Sequence, residues 1–401
     1  MTEPNHLNIC LVTPGYPPED GGGIGTYIHN LARGLIQRGH KVYVLTKTKG
    51  QDRHESREGV DIFSYRYRYL QKGEAYFDGL AWSYFIAKKI RELDRKYHFD
   101  VIEFPNWEGV GFIYQFDRKR KPVVTRMHTP YFETLAIDLA DQKIKFGDHF
   151  VCWTEKMACR KSDQLVTSTK CHRSMMVKNY NLKEEKITIL PLGIQLVERP
   201  KNESGSSSGH IKILYVSRLE KRKGTITLMD AIPLILKEHP QVEFTIVGKD
   251  RPHAPEGQTH QNYFLNKYPD CRDKVRFLGF IANDELTQLY RDADIFVVPS
   301  VYESFGVVYI EAMMYAKPVI GCRAGGIPEV VKEGESGILI DPHDVQGLVK
   351  AVGRLIEDES LRKTMGSKAR RLCEENFSYE LMVKRTESMY RDTKEQFYAK
   401  Q

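Results

Sequence analysis

Two doubly wound α/β domains in series are the fold this sequence predicts. Three observations carry the expectation. Short apolar runs alternate with helical stretches along most of the chain, the pattern of strand–helix–strand units. The alternation is broken by a Gly- and Ser-rich piece, Lys201 to His210 (KNESGSSSGH), and then restarts. At 401 residues the chain also exceeds what one hydrophobic core usually serves.

In the first half, Asn8 to Thr13 (NICLVT) reads as a buried strand closed by Pro14-Gly15. Ile28, Leu31 and Leu35 lie at helical spacing and predict a helix over Ile24 to Arg38, which Gly39 ends. Lys41 to Thr46 is the next strand, and Asp61 to Tyr67 a third. A helical stripe covers Trp82 to Tyr97. Phe99 to Phe104, Pro122 to Met127, Gln164 to Thr167 and Ile187 to Leu190 complete the first series. The second series opens with Ile211 to Ser217, a helix over Thr225 to Glu238, and Val242 to Val247. Arg251 to Gln261 (RPHAPEGQTHQ) is expected as a surface loop. Val275 to Leu278, Ile295 to Val298, Pro318 to Gly321 and Gly337 to Ile340 follow as strands, with a helix near Asp284 to Tyr290. Tyr379 to Lys400 closes the chain as a charged helix that Ser378 is placed to cap. No internal repeat points to a solenoid.

Composition narrows the class. Hydrophobic residues are 41% and charged residues 28%, which excludes a disordered chain. The formal charge of +7 suits an anionic ligand or an anionic membrane surface without requiring either. Seven cysteines are scattered without a CxxC pair or zinc spacing, so reduced thiols in a cytoplasmic protein are expected. The amino terminus has no basic region followed by an apolar run, and no stretch is apolar enough to span a bilayer. Peripheral contact with the inner face of a membrane stays open, through the runs at Asp117 to Lys121 and Arg66 to Leu70. No nucleic-acid-binding module is present.

The candidate site lies in three strand-end loops, where open α/β sheets bind ligands. In SVYESFGVVYIEAMM, Glu303 falls in the loop after a strand, Gly306 permits close approach of backbone to ligand, and a helix is expected from near Gly306 through Met314. The first turn of that helix offers unpaired N–H groups. Val307, Ile310 and Met314 are placed to face the core, leaving Glu311 on another side. A carboxylate accepts hydrogen bonds from vicinal hydroxyls, and a nucleotide sugar has hydroxyls on ribose and on hexose. The alternative has Glu311 solvated and Glu303 beside an N-cap. In SRLEKRKG, Arg218 offers a planar fork and Lys223 a mobile point charge, both suited to a diphosphate. Charge that grows on a leaving diphosphate would be stabilised by such fixed cations. In EDGGGIG, Gly22 and Gly23 expose backbone N–H groups at a helix start. This is not a dinucleotide fingerprint: Thr26 stands where the last glycine belongs, and no acidic ribose partner ends KVYVLTKTKG, which disfavours an NAD(P) enzyme. His128, in RMHTP at a strand end, is placed either to bind a sugar hydroxyl or to serve the structure. Gly325-Gly326-Ile327-Pro328-Glu329 forms another strand-end loop.

Together, the Glu303/Glu311 pair, SRLEKRKG, PSVYESFG, EAMMYAKPVI and the GGG loop resemble the family 4 glycosyltransferases, retaining enzymes of the GT-B fold, over nearly the whole chain. The resemblance implies two Rossmann-like domains facing across a cleft. Residues 1–195 would form an acceptor-binding domain, 196–378 a nucleotide-sugar-binding domain, and 379–401 a helix crossing back to the first. By the same resemblance Arg218 and Lys223 match the diphosphate-binding pair, and Glu311 the ribose-binding glutamate. Glu303 matches the glutamate facing the donor sugar, with Ser304, Phe305, Gly306 and Val307 beside it. Gly22 and Gly23 match the loop near the phosphates, and His128 a histidine near the transferred sugar. His128, Glu303, Arg218 and Lys223 are the residues expected to serve catalysis. The implied activity is transfer of a hexose from a UDP- or GDP-sugar to an acceptor hydroxyl, without a metal or other cofactor. A leaving phosphate oxygen would assist the incoming hydroxyl on the same face. The acceptor would be a glycan, a lipid or a small metabolite. The sequence departs from many relatives at Pro191-Leu192-Gly193-Ile194-Gln195, where Leu192 and Gln195 stand in place of an asparagine and an aspartate, and at Gly248-Lys249-Asp250, where a GxG is replaced. Base, sugar and oligomeric state are left open. Two other readings remain: a nucleotide-sugar enzyme of this fold that does not transfer, such as an epimerase, and a non-catalytic nucleotide-sugar binder.

Overall fold

The computed structural model describes residues 6–18, 22–67, 77–137, 143–197, 210–252 and 254–400. Glu19 to Gly21 of the glycine loop, residues 68–70 of the RYRYL run and 201–209 of the Gly/Ser piece therefore lie outside the described residues. The chain divides into two compact units, Met1–Gln195 with Tyr379–Gln401, and Leu196–Ser378.

The first unit is built from β1 (Asn8–Thr13), α1 (Gly22–Gln37), β2 (Lys41–Thr48), β3 (Arg53–Arg57), β4 (Val60–Arg66), α2 (Asp78–Tyr97), β5 (Val101–Pro105), α3 (Phe112–Gln115), β6 (Val123–Arg126), α4 (Tyr131–Ile137), α5 (Phe146–Lys161), β7 (Gln164–Thr167), α6 (Lys170–Tyr180) and β8 (Ile187–Ile189). Its sheet runs β3-β4-β2-β1-β5-β6-β7-β8. All neighbours are parallel except β3 and β4. Strands covered on both faces must be apolar on both, which is why β1 and β2 read as continuous runs rather than alternations. Trp82, Ile86 and Ile90, one face of α2, pack with Val12, Leu45 and Phe104. β3 is RHESR, charged and largely exposed. Its charge hides it from an apolar search and also protects an edge that would otherwise invite pairing with another chain.

The second unit contains β9 (Ile211–Val216), α7 (Thr225–Glu238), β10 (Val242–Val247), α8 (His260–Lys267), β11 (Val275–Gly279), α9 (Asn283–Asp292), β12 (Ile295–Val297), α10 (Val307–Met314), β13 (Val319–Cys322), α11 (Ile327–Val330), β14 (Gly337–Ile340), α12 (Val345–Glu357) and α13 (Glu359–Asn376). The six strands are parallel, in the order β11-β10-β9-β12-β13-β14. The segment expected as a loop at Arg251 to Gln261 instead ends inside α8. Asp250 explains the difference: its carboxylate accepts from His260 N and Gln261 N, both at 2.9 Å, and faces His260 Nδ1 at 3.1 Å. Thr259 adds an N-cap by accepting from Asn262 N at 3.2 Å.

The last helix, α14 (Tyr379–Tyr398), belongs to the first unit. Tyr379 N donates to Ile194 O at 2.9 Å and its hydroxyl to Gln37 at 2.9 Å. Arg38 pairs with Glu387. Deeper, the buried Glu103 accepts from Tyr390 OH at 2.7 Å, from Tyr27 OH at 2.9 Å and from Arg126 Nε at 3.2 Å. One carboxylate on β5 thus ties together α1, β6 and α14.

Candidate functional site

In each sheet the strand order reverses once. In the first unit the reversal lies between β1 and β5, in the second between β9 and β12. Loops leaving the carboxyl ends of those strands diverge and open a crevice. In the second unit β9 and β12 are paired, Ile213 with Ile295 and Leu214 with Phe296, so their following loops are neighbours. One is Ser217 to Gly224 and the other Val298 to Gly306.

The two loops interlock through backbone. Val301 N donates to Arg222 O at 2.9 Å. Gly224 has φ +64°, and a Cβ there would overlap the Pro299 carbonyl oxygen. Strain and overlap add, so Gly224→Ala is expected to cost about 2–4 kcal/mol. Chemical denaturation of the variant measures it; near-wild-type stability would mean that the loops are free to separate.

Side chains from both loops meet at Glu303, which is 6% exposed. Its Oε1 accepts from Ser300 Oγ at 3.0 Å and pairs with Lys223 Nζ. Its Oε2 faces Arg222 Nη1 at 3.5 Å. Arg222 is itself buried and donates to Glu220 at 2.9 Å and to Tyr302 O at 3.3 Å. Burial alone would raise the Glu303 carboxyl, but attraction by Lys223 and Arg222 outweighs it and holds the group below the ordinary carboxylate range. Lys223 is pulled below its ordinary value, first by burial and then by repulsion from Arg222. Within this group Arg222 and Lys223 balance Glu220 and Glu303, and the exposed Arg218, paired with Glu220, adds positive charge at its edge, which suits an anionic ligand.

The Glu303 backbone is clamped from the loop after β13, where Gly326 N donates to Glu303 O at 2.7 Å. Phe305 is buried edge-on against Phe377, with centroids 5.5 Å apart. Gly306, at φ +92°, is the N-cap of α10, and Ser304 and Val307 flank it half-buried. Tyr309 rather than Val307 anchors that helix in the core, donating through its hydroxyl to Val298 O at 2.6 Å. Glu311 is half-buried and accepts from Tyr290 OH at 2.9 Å. Its burial raises the carboxyl, and the tyrosine bond offsets this only in part.

Of the other residues singled out from sequence, Arg218 lies at the solvent edge of this group and the rest belong to the other unit. Arg218 has a 58% exposed side chain and reaches Glu220 at 3.2 Å. Gly22 and Gly23 are the first residues of α1 in the other unit, exposed, with open space where a Cβ would project. His128 follows β6 in that unit. Its N–H donates to Asn106 Oδ1 at 2.8 Å, and its ring stands edge-on to Tyr27 with centroids 5.8 Å apart. Burial, then the positive charge of Arg126, pushes its imidazole down to about 3, so it is neutral near pH 7. Sequence reasoning missed Arg222, Ser300 and Tyr290. Arg222 sits in a basic run, and only the single 3-10 turn at Lys221–Lys223 decides which of the three side chains turns inward.

Among the described residues no group of three or more His, Cys, Asp or Glu is arranged to hold a metal ion, and no helix is long and apolar enough to cross a membrane.

Two Rossmann-like α/β units define the GT-B class of nucleotide-sugar enzymes. The solved structure of sucrose-phosphate synthase from Thermosynechococcus elongatus has the same fold, with a TM-score of 0.82, 22% identity, and 99% of this chain and 100% of that chain covered. Residues 197–372 match the glycosyl transferases group 1 family and residues 21–198 match glycosyltransferase family 4. A D-inositol 3-phosphate glycosyltransferase of Corynebacterium jeikeium is 30% identical over 87% of each chain. An uncharacterised glycosyltransferase of Methanocaldococcus jannaschii is 28% identical over 96% of this chain and 98% of its own. The protein belongs to the family 4, group 1 glycosyltransferases of the GT-B fold. Its activity is glycosyl transfer from a nucleotide-sugar donor to an acceptor.

Proposed function

We propose that the enzyme transfers a hexose from a UDP- or GDP-hexose to an acceptor hydroxyl with retention of anomeric configuration. The supporting observation is the buried group of Lys223 and Arg222 around Glu303 at the switch point of the second unit. In this reading the diphosphate takes Lys223 as its counter-ion, with Arg218 swinging in from solvent. Lys223 then bears on the oxygen where charge grows as the glycosidic bond breaks, which stabilises the transition state more than the ground state. Glu303, released from Lys223, accepts from hexose hydroxyls, while N–H groups at the start of α10 donate to the same sugar. Glu311 accepts from the ribose. A phosphate oxygen of the departing diphosphate takes the proton of the incoming hydroxyl on the face the diphosphate leaves. In the amino-terminal unit, which this reading makes the acceptor domain, Gly22 and Gly23 lie at the phosphates, and neutral His128 keeps one donor and one acceptor nitrogen for the transferred sugar.

The test is a panel of nucleotide sugars scored for nucleoside diphosphate release with and without acceptor glycans, lipids and polyols, with product anomers assigned by NMR. Acceptor-dependent release with a retained anomer is expected. Conversion of one nucleotide sugar into another without acceptor would replace transfer by epimerisation, and an inverted anomer would remove the same-face mechanism. Against the donor so found, Glu311→Ala is expected to raise KM by about ten- to hundredfold with a smaller change in kcat, since a ribose contact is present in ground and transition states alike. A variant that lowers kcat at unchanged KM would move Glu311 from the ribose to the reacting centre.

A further inference from the structure

Helix α5 buries one side and exposes aromatic rings on the other. Its inner side packs through Thr154, Glu155, Ala158 and Cys159, all buried. Its outer side carries Phe146, Phe150 and Trp153, spaced i, i+4 and i+7 and therefore in one stripe. Phe146 is 79% exposed and Trp153 48% exposed. The stripe is extended by ring contacts: Phe150 to Phe77 at 5.5 Å, Phe150 to Trp153 at 5.9 Å, Trp153 to Phe112 at 5.4 Å, and Phe112 to Phe116 at 5.0 Å. A helix on the surface of a protein in water normally presents polar side chains there, and a contiguous exposed aromatic band marks a contact surface.

The charges on α5 and the residues leading into it select the partner. From Lys143 to Lys161, every Lys, Arg, Asp or Glu that is exposed or half-buried is basic: Lys143, Lys145, Lys156, Arg160 and Lys161. The two acids of the segment are turned inward and occupied. Asp148 accepts from Tyr131 OH at 2.9 Å, and Glu155 accepts from Glu108 N, Tyr131 N and Tyr180 OH. Lys161 Nζ sits 5.1 Å over the Phe116 ring. A second copy docked symmetrically on this face would bring cations against cations. Phe and Trp rings settle at the headgroup–acyl boundary, while lysines beside them meet lipid phosphates.

We propose that the outer face of α5, with Phe77, Phe112 and Phe116, is a docking surface for a lipid bilayer carrying anionic headgroups. The surface lies wholly within the amino-terminal unit and shares no residue with the proposed donor site.

The experiment is co-sedimentation with phosphatidylcholine vesicles prepared with and without phosphatidylglycerol, run without donor. Binding is expected to the anionic vesicles only, to fall with salt, and to weaken about fivefold for each of Lys143→Gln, Lys145→Gln and Lys161→Gln. The double variant F146S/W153S is expected to abolish binding while thermal stability and nucleoside diphosphate binding stay at wild-type levels. Trp82 is buried and Trp107 half-buried. Quenching of tryptophan emission by lipids brominated in the acyl chain thus reads Trp153 in the unaltered protein and does not depend on any variant folding. Absence of vesicle binding, binding indifferent to these variants, or no quenching would each overturn the proposal. So would a dimer in light scattering that F146S/W153S dissolves, which would give the face to a second copy.

Discussion

Replacing Glu303 with glutamine is expected to lower kcat/KM by at least about a hundredfold and to destabilise the carboxyl-terminal unit as well. Both effects have one origin. Glu303, Lys223 and Arg222 have side chains 8%, 11% and 6% exposed, so the two cations have little water to replace a lost carboxylate. Removing one partner of such a group costs about 3–5 kcal/mol, mostly from the charge left unpaired. Glutamine keeps the shape and one acceptor for Ser300, so its cost falls toward the low end of that range. The pH dependence separates the ion pair from packing. The folded carboxyl titrates below its unfolded value of about 4.3. Its stabilising contribution is therefore complete above about pH 4.3 and is lost as pH falls through the folded value. The melting temperatures of wild type and Glu303→Gln should differ most near neutrality and converge in acid. A gap that stays constant with pH would locate the effect in packing. Lys223→Met is the complementary variant: it removes the inner cation and is expected to weaken nucleoside diphosphate binding.

The second large effect is expected in the other unit. Glu103→Ala strands Arg126, whose side chain is fully buried, and removes the acceptor of both Tyr27 and Tyr390. A loss of about 3–5 kcal/mol follows, equivalent to a fall in melting temperature on the order of ten degrees for a unit of this size. Because Tyr390 lies on α14, the loss has a local signature. Amide exchange around Met389–Thr393 should accelerate more than exchange in β1 or β2, which are held by the parallel ladder. Tyr390→Phe, which removes one hydroxyl but no charge, should cost only about 1–2 kcal/mol. Equal losses in the two variants would mean that the stranded charge of Arg126 is not what matters.

Where burial dictated composition, the sequence was readable. Strands sandwiched between helices must be apolar throughout, and Gln164–Thr167, Val242–Val247 and Gly337–Ile340 have the bounds their apolar runs suggest. Where charge hid the element, it was not readable. RHESR forms an edge strand because it pairs on one side only, and an edge tolerates charge. The start of α8 depends on Asp250, ten residues from His260, a capping distance that no local pattern reveals. The site divides in the same way. That Lys223 and Glu303 occupy loops at strand ends follows from the runs before them. That they pair, and that Arg222 rather than Arg218 is the buried arginine beside them, depends on β9 lying next to β12 and on one turn of 3-10 helix. Neither is written in the spacing of either segment alone.

The most direct test of the donor site is diffraction from crystals soaked with the nucleotide sugar that the activity panel selects. The diphosphate oxygens are expected within hydrogen-bond distance of Lys223 Nζ, with the ribose hydroxyls on Glu311 and the hexose against Glu303 and the start of α10. An ordered diphosphate bound away from the loops after β9 and β12, with the Lys223–Glu303 pair intact, would contradict it.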